Sequence, residues 1–249
     1  MNVKVLASGS DANCVYVGNG ETAVLIDLGL AKTKAEKILV ANGIDPTKIT
    51  AVLISHEHQD HCRGLAFADK YKIPVFASEG TLKALKRGDG IDGNVINCPT
   101  GFNVFEDDFI FVHPFKVHHD AAEPLGYAIT NKVFKVSVLM DTGKVTDDMI
   151  QAMSFSDVYV FECNHDEEMV KEGDYPDVTK SRILCDVGHL SNDAAAAALA
   201  KLIRGKGEQV YLTHMSSNNN MPALALATVK RALKAKGFIA GQHYHIGVV

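Results

Sequence analysis

Three histidines and an aspartate, all able to hold a metal ion, crowd into one six-residue stretch, His56-Glu57-His58-Gln59-Asp60-His61. The stretch directly follows Ala51–Ser55 (AVLIS), a continuous apolar run of the kind that forms a strand buried on both faces. Alternation along an extended segment puts His56 and His58 on one side, and a turn just beyond would let Asp60 and His61 face a second centre. Imidazole and carboxylate donors suit zinc and similar divalent ions. Further histidines and carboxylates lie where strands are expected to end, His118-His119-Asp120, Asp141 and His214, and His189 lies just before an expected helix.

The H-x-H-x-D-H arrangement resembles the metallo-β-lactamase superfamily. The resemblance implies an α+β fold, the αβ/βα four-layer sandwich, with two facing mixed β-sheets flanked by helices. It also implies a ligand set. Asp27, in Val24-Leu25-Ile26-Asp27-Leu28-Gly29, resembles the early Asp-x-Gly motif, whose aspartate supports the ligands without binding metal. His119 matches the third histidine of the first metal, with His118 as the alternative. Asp141, in Met140-Asp141-Thr142-Gly143, matches the carboxylate that bridges two ions, and His214 matches the last ligand. The implied sets are His56, His58, His119 and Asp141 for one ion, and Asp60, His61, Asp141 and His214 for the other.

Other segments narrow the resemblance. Ser8-Gly9-Ser10-Asp11-Ala12-Asn13-Cys14 is similar to the S-G-S-x-x-N-C opening of the YycJ/WalJ group of nucleases. Glu162-Cys163-Asn164-His165-Asp166 is similar to that group's E-S-N-H-D motif, with Cys163 in place of Ser. Gly188-His189-Leu190-Ser191-Asn192, and Thr213-His214-Met215-Ser216 followed by Asn218, Asn219 and Pro222, also resemble its motifs. The likeness runs from Ser8 to Pro222. One departure is Gln59, where Ser or Thr is commoner.

His189 precedes an Ala-rich helix that Ser191 or Asn192 can cap. A helix N-terminus favours an anion, so the resemblance implies that His189 contacts the scissile phosphate or protonates the leaving group. Asp60 is expected to orient the nucleophile as well as to ligate. Asn164, His165, Ser191 and Asn218 are candidates for substrate contact; the alternatives are a supporting or packing role for Asn164 and His165, helix capping for Ser191 and a turn for Asn218. Two ions ~3.5–4 Å apart can clamp an attacking water and a phosphoryl oxygen together.

The elements that must position these residues alternate at both ends of the chain. Strands are expected at Val3–Ala7, Cys14–Gly18, Ala23–Asp27 and Ala51–Ser55, with a helix at Ala31–Asn42. The middle is β-dominated, with strands at Phe109–His113, Phe115–His119, Gly126–Thr130 and Val133–Met140. Strands at Asp157–Glu162, Gln209–Thr213 and Gln242–Val248 then frame helices at Asp193–Arg204 and Ala223–Lys236. No linker or repeat interrupts this order, so one domain over residues 1–249 is expected.

The net charge is −5 over 249 residues, an ill-suited balance for an extended polynucleotide footprint, because phosphate neutralisation drives that binding. The five cysteines show no C-x-x-C spacing, which excludes a Cys-rich zinc site and a disulfide framework. With no signal-like N-terminus and no apolar stretch near ~20 residues, a cytoplasmic protein without a membrane span is expected. Asp141 follows His119 by only 22 positions, too few for the substrate-gripping insertion of tRNA-processing relatives. The expected function is a phosphodiester hydrolase with two divalent ions, zinc or manganese. Its substrate would be a nucleic-acid end, as for a DNA exonuclease, or a small cyclic nucleotide. Thioester hydrolysis is a more remote reading, and a homodimer is plausible in this superfamily.

Overall fold

The computed structural model describes residues 1–88, 93–104 and 110–249. The described residues separate into two units, Met1–Lys116 with Ala121–Tyr127, and Val117–Asp120 with Ala128–Val249.

The first unit begins with a meander of β1 (Asn2–Ala7), β2 (Cys14–Gly18) and β3 (Ala23–Ile26), paired antiparallel. Helix α1 (Lys32–Ala41) then returns the chain, so that β4 (Ile49–Leu53) lies parallel to β3. The short helices α2 (Gln59–Cys62) and α3 (Ala66–Tyr71) lead to β5 (Val75–Ala77), and α4 (Glu79–Ala84) leads to β6 (Asn94–Val95). These strands form a six-stranded sheet in the order β1-β2-β3-β4-β5-β6. The apolar runs of β3 and β4 are buried, as parallel pairing requires when both faces are covered. Leu25, Val52 and Ile54 share a core with Ala35 and Leu39 of α1 and Phe67 of α3.

A second sheet has seven strands, ordered β13-β12-β11-β10-β9-β8-β7. Its β7 (Phe102–Asn103) and β8 (Phe111–Lys116) are antiparallel, and β9 (Leu125–Thr130) carries the boundary between the units. The second unit contributes β10 (Lys135–Leu139), β11 (Val158–Glu162), β12 (Glu208–Thr213) and β13 (Tyr244–Val248), all parallel. Between them run α5 (Asp147–Met153), α6 (Glu167–Glu172), α7 (Asp177–Leu184), α8 (Asn192–Leu202) and α9 (Pro222–Ala235). Helix α8 starts where Ser191 Oγ accepts the Ala194 N–H at 3.2 Å, and buries Ala195, Ala196, Leu199 and Leu202.

The strands expected at Phe109–His113 and Phe115–His119 are one strand, Phe111–Lys116, that runs through Pro114; Phe109 lies outside the described residues. Pro114 is tolerated because β7 pairs only with Phe111 and Val112, so its missing N–H falls beyond that short ladder. The strand stops at Lys116, which leaves His118 and His119 in a loop.

Candidate metal centre

In the first unit, the site residues gather around one buried carboxylate. Asp27 stands just past β3 with φ 58°, a left-handed conformation more accessible to Asp, Asn and His than to other side chains. Its carboxylate accepts the Ser55 N–H at 2.7 Å, the Ser55 hydroxyl at 2.9 Å and His61 Nδ1–H at 2.7 Å. With its proton given to Asp27, Ser55 Oγ accepts from His56 Nδ1–H at 2.9 Å. Both imidazoles therefore carry their lone pair on Nε2. The ring centres of His56 and His58 are 4.6 Å apart, and those of His56 and His61 are 4.2 Å apart.

His58 is still extended, whereas Asp60 and His61 sit on α2, which is the turn expected after the first two histidines. The Ser8–Cys14 loop holds Asp60 in place. Asn13 donates from Nδ2 to Asp60 Oδ2 at 3.2 Å and to Gly9 O at 3.0 Å, and its backbone N–H donates to Asp60 O at 2.7 Å. The same carbonyl explains the glycine of the Asp-x-Gly motif, since a Cβ on Gly29 would come within 1.6 Å of Asp60 O.

In the second unit, the site residues stand at the carboxyl ends of parallel strands, where open α/β sheets place ligands. Asp141 follows β10, Glu162 ends β11 and His214 follows β12. Asp141 (φ 49°) and His214 (φ 52°) are left-handed, like Asp27. His214 Nδ1 lies 2.9 Å from Asp141 Oδ1 and 3.3 Å from Glu162 Oε1. His189 Nδ1 lies 2.8 Å from Glu162 Oε1 and 3.3 Å from Asp141 Oδ1. Glu162 is fully buried, and its other oxygen accepts the Thr142 N–H at 2.8 Å. One donor atom from each of Asp141, Glu162, His189 and His214 falls within 4.8 Å of the others.

His119 is buried and donates from Nδ1 to Gly188 O at 3.1 Å, which assigns its lone pair to Nε2. His118 is half-buried, and its backbone binds Thr142 Oγ1 and the Gly143 N–H.

Burial and charge set the protonation states. Burial alone would pull the His189 imidazolium down, but hydrogen bonds to Asp141 and Glu162, and the charge of both, override it and push the pKa up to about 9. Burial would raise Glu162, yet hydrogen bonds from His189 and His214 hold it below the ordinary carboxylate range. Burial lowers His119 and His165, which favours neutral rings.

The remaining candidates have structural partners. Asn164 donates from Nδ2 to the His214 carbonyl at 2.8 Å. His165 is buried and pairs by a β-bridge with Ser191, the cap of α8. Asn218 is exposed and donates to the Tyr175 hydroxyl at 2.7 Å.

The donor set fits divalent ions. Metal-binding histidines nearly always donate their second ring N–H to a carboxylate, carbonyl or similar acceptor. His56, His61 and His119 each do so, to Ser55, Asp27 and Gly188 O.

Residues 22–215 match the family described as beta-lactamase superfamily domain. The chain is 40% identical to Exodeoxyribonuclease YycJ of Bacillus anthracis, over 99% of this chain and 94% of that one. It is 34% identical to Exodeoxyribonuclease WalJ of Streptococcus pneumoniae, over 92% of this chain and 87% of that one. The chain belongs to the YycJ/WalJ family of the β-lactamase superfamily. Its fold matches the crystal structure of the metallo-beta-lactamase fold protein YhfI from Bacillus subtilis, with a TM-score of 0.71 at 15% identity over 99% of this chain and 95% of that one. Membership makes the chain a metal-dependent hydrolase of the nuclease and phosphodiesterase kind, and the family and its donor clusters together support divalent ions. No helix among the described residues is long and apolar enough to cross a membrane.

Within this YycJ/WalJ framework, Glu162 was quoted in the sequence only as the start of the E-S-N-H-D-like motif and was given no role in the site. The available signal was a carboxylate closing a fully apolar strand, Val158–Glu162, whose burial demands charged or hydrogen-bonded partners.

Proposed function

We propose that this YycJ/WalJ-family enzyme hydrolyses phosphodiester bonds at DNA ends. The proton-donor chemistry rests on one observation, the 2.8 Å contact between His189 Nδ1 and Glu162 Oε1 beside Asp141. The DNA substrate is argued from the exodeoxyribonuclease relatives that match nearly the whole chain.

The two units would act as one catalytic domain. His56, His58, His119 and Asp141 would hold one ion, and Asp60, His61, Asp141 and His214 the other. Zinc suits this imidazole-rich set, and manganese is compatible with it. Two bound divalent ions would supply Lewis acidity and lower the pKa of water toward neutrality.

The chain's own residues supply the rest. Asp60, fixed by Asn13, orients the attacking water and takes up its proton. Glu162 accepts from His189 Nδ1–H, so that His189 keeps its second proton on Nε2 for the departing oxygen. Asn164 braces His214 through its carbonyl, and Asp27 fixes the tautomer of His61. Five free cysteines suit a reducing, cytoplasmic setting.

The net charge of −5 favours a second reading, a phosphodiesterase for a small cyclic nucleotide that needs no polyanion groove. The deciding experiment compares turnover of 5′-phosphorylated single-stranded DNA and of 3′,5′-cyclic nucleotides, with Zn²⁺ and with Mn²⁺, beside Asp60→Asn. Asp60-dependent shortening of DNA supports the exonuclease. Selective opening of cyclic nucleotides replaces it with the second reading. Full activity in folded Asp60→Asn removes the two-metal proposal.

A further inference from the structure

We infer that Asn192 and Asn220 form a buried amide clamp that positions His189 against Glu162; the inference rests on the proton-donor role proposed for His189. Asn192 donates from Nδ2 to Asn220 Oδ1 at 2.9 Å, and Asn220 donates back from Nδ2 to Asn192 Oδ1 at 2.8 Å. The pair also takes in Cys163. Its thiol donates to Asn192 Oδ1 at 3.0 Å, and its carbonyl accepts from Asn220 Nδ2 at 3.0 Å. The Met221 N–H adds a donor to Asn220 Oδ1 at 2.9 Å. Asn192 is 1% exposed, Asn220 5% and Cys163 0%. Each amide oxygen thus receives two donors, which uses its full acceptor capacity.

The clamp joins three segments that carry site residues. Cys163 directly follows Glu162, Asn192 opens α8 three positions after His189, and Asn220 lies between His214 and α9. Backbone bonds seat these segments on one another. The Asn164 N–H donates to Leu190 O at 2.9 Å, the Asn192 N–H to His165 O at 2.8 Å, the Ser216 N–H to Asn164 O at 2.8 Å and the Asp166 N–H to Asn219 O at 2.8 Å. The backbone bonds set the register of the segments. The side-chain clamp closes them one position after Glu162 and three after His189.

Its members are uncharged amides and a thiol, so the positioning does not depend on an ion pair. Removing one amide takes both reciprocal bonds from the other, and without Asn220 the buried Asn192 Nδ2 loses its partner, which opens the network rather than trimming it. A displacement of about 1 Å in a group that must meet a reacting atom can cost about 10²-fold in rate. Asn192 and Asn220 are therefore positioning residues, and His189 is the group they act through.

The test uses the leaving group. An alkoxide departing from DNA needs the proton of His189, whereas the nitrophenolate of thymidine 5′-p-nitrophenyl phosphate leaves without one. Metal-loaded wild type, Asn192→Ala, Asn220→Ala, Cys163→Ala, Cys163→Ser and His189→Gln are assayed on both substrates. Clamp variants should lose about tenfold or more in kcat on 5′-phosphorylated DNA, a part of the ~10²–10⁴ range of general acid catalysis, and change little on the aryl ester. KM should stay near its wild-type value, and Cys163→Ser, which keeps a donor, should behave as wild type.

A parallel loss on both substrates, or no loss on either, overturns the clamp. Cys163→Ala removes only the thiol, so it carries the same comparison if Asn192→Ala or Asn220→Ala does not fold. If His189→Gln itself slows both substrates equally, the proton-donor reading falls and the clamp falls with it. A split in His189→Gln without one in the clamp variants overturns the clamp alone.

Discussion

His189 and Glu162 face each other across 2.8 Å, with the glutamate fully buried and the imidazole carrying a side-chain exposure of 23%. In the proposed mechanism, the buried end of the pair would fix the ring and the more exposed end would deliver the proton. Glu162→Gln removes the charge but keeps the shape. It should lower DNA turnover by about 10²-fold, with a smaller effect on an aryl ester whose leaving group needs no proton. Steady-state kinetics on the two substrates checks this, and equal losses would reduce Glu162 to a structural residue.

Asp27 should control metal retention. It touches Ser55 and His61 and stands outside the proposed ligand sets. Asp27→Asn should weaken metal affinity by about 10–100-fold, the usual cost of losing such a partner. Competition with a chromophoric chelator measures the shift, and an unchanged affinity would contradict the role.

The pH dependence of the metal-free protein follows from His189. Its pKa rises to about 9 in the folded chain, from an ordinary value near ~6.5 when unfolded. A raised folded pKa gives stability that is fully present below the unfolded pKa and is lost as pH rises through the folded one. In excess chelator, the melting temperature should therefore fall between pH ~6.5 and about 9 more steeply for wild type than for His189→Gln. Parallel curves would mean that the pair adds nothing to the metal-free fold.

Gly29→Ala should destabilise the first unit although it changes the side chain of no proposed ligand. The added carbon would meet the Asp60 carbonyl at 1.6 Å, so α2 must move. Overpacking of this kind costs about 1–3 kcal/mol or more, and it should also reduce metal affinity because Asp60 moves with α2. Chemical denaturation together with metal titration reads both effects.

The candidate metal-binding stretch was legible as a cluster because His56, His58, Asp60 and His61 lie within six positions and follow an apolar strand. Asp141 and His214 were legible as strand-end residues, since each follows a stretch with apolar residues at its close, Val138–Met140 and Val210–Leu212. Glu162 was not, because its partners His189 and His214 lie 27 and 52 positions away and only the fold brings them to it. The short helices α2 and α4 are too brief to show a helical period, and Pro114 disguised a continuous strand as two. The Asn192–Asn220 pair was hidden for another reason: asparagines beside Ser and Pro look like turn or capping residues, and reciprocal bonding between two of them leaves no local pattern.

Asp27, Asp141 and His214 all hold left-handed backbone at the ends of strands. Such a conformation costs on the order of 1–3 kcal/mol at each position, and a glycine there would relieve it. Glycine at any of the three would relieve that backbone cost but strip buried groups of their partners, as Ser55 and His61 would lose theirs at position 27. Each left-handed turn is thus kept by the buried bonds of the side chain it presents, so the backbone cost and those bonds stand or fall together.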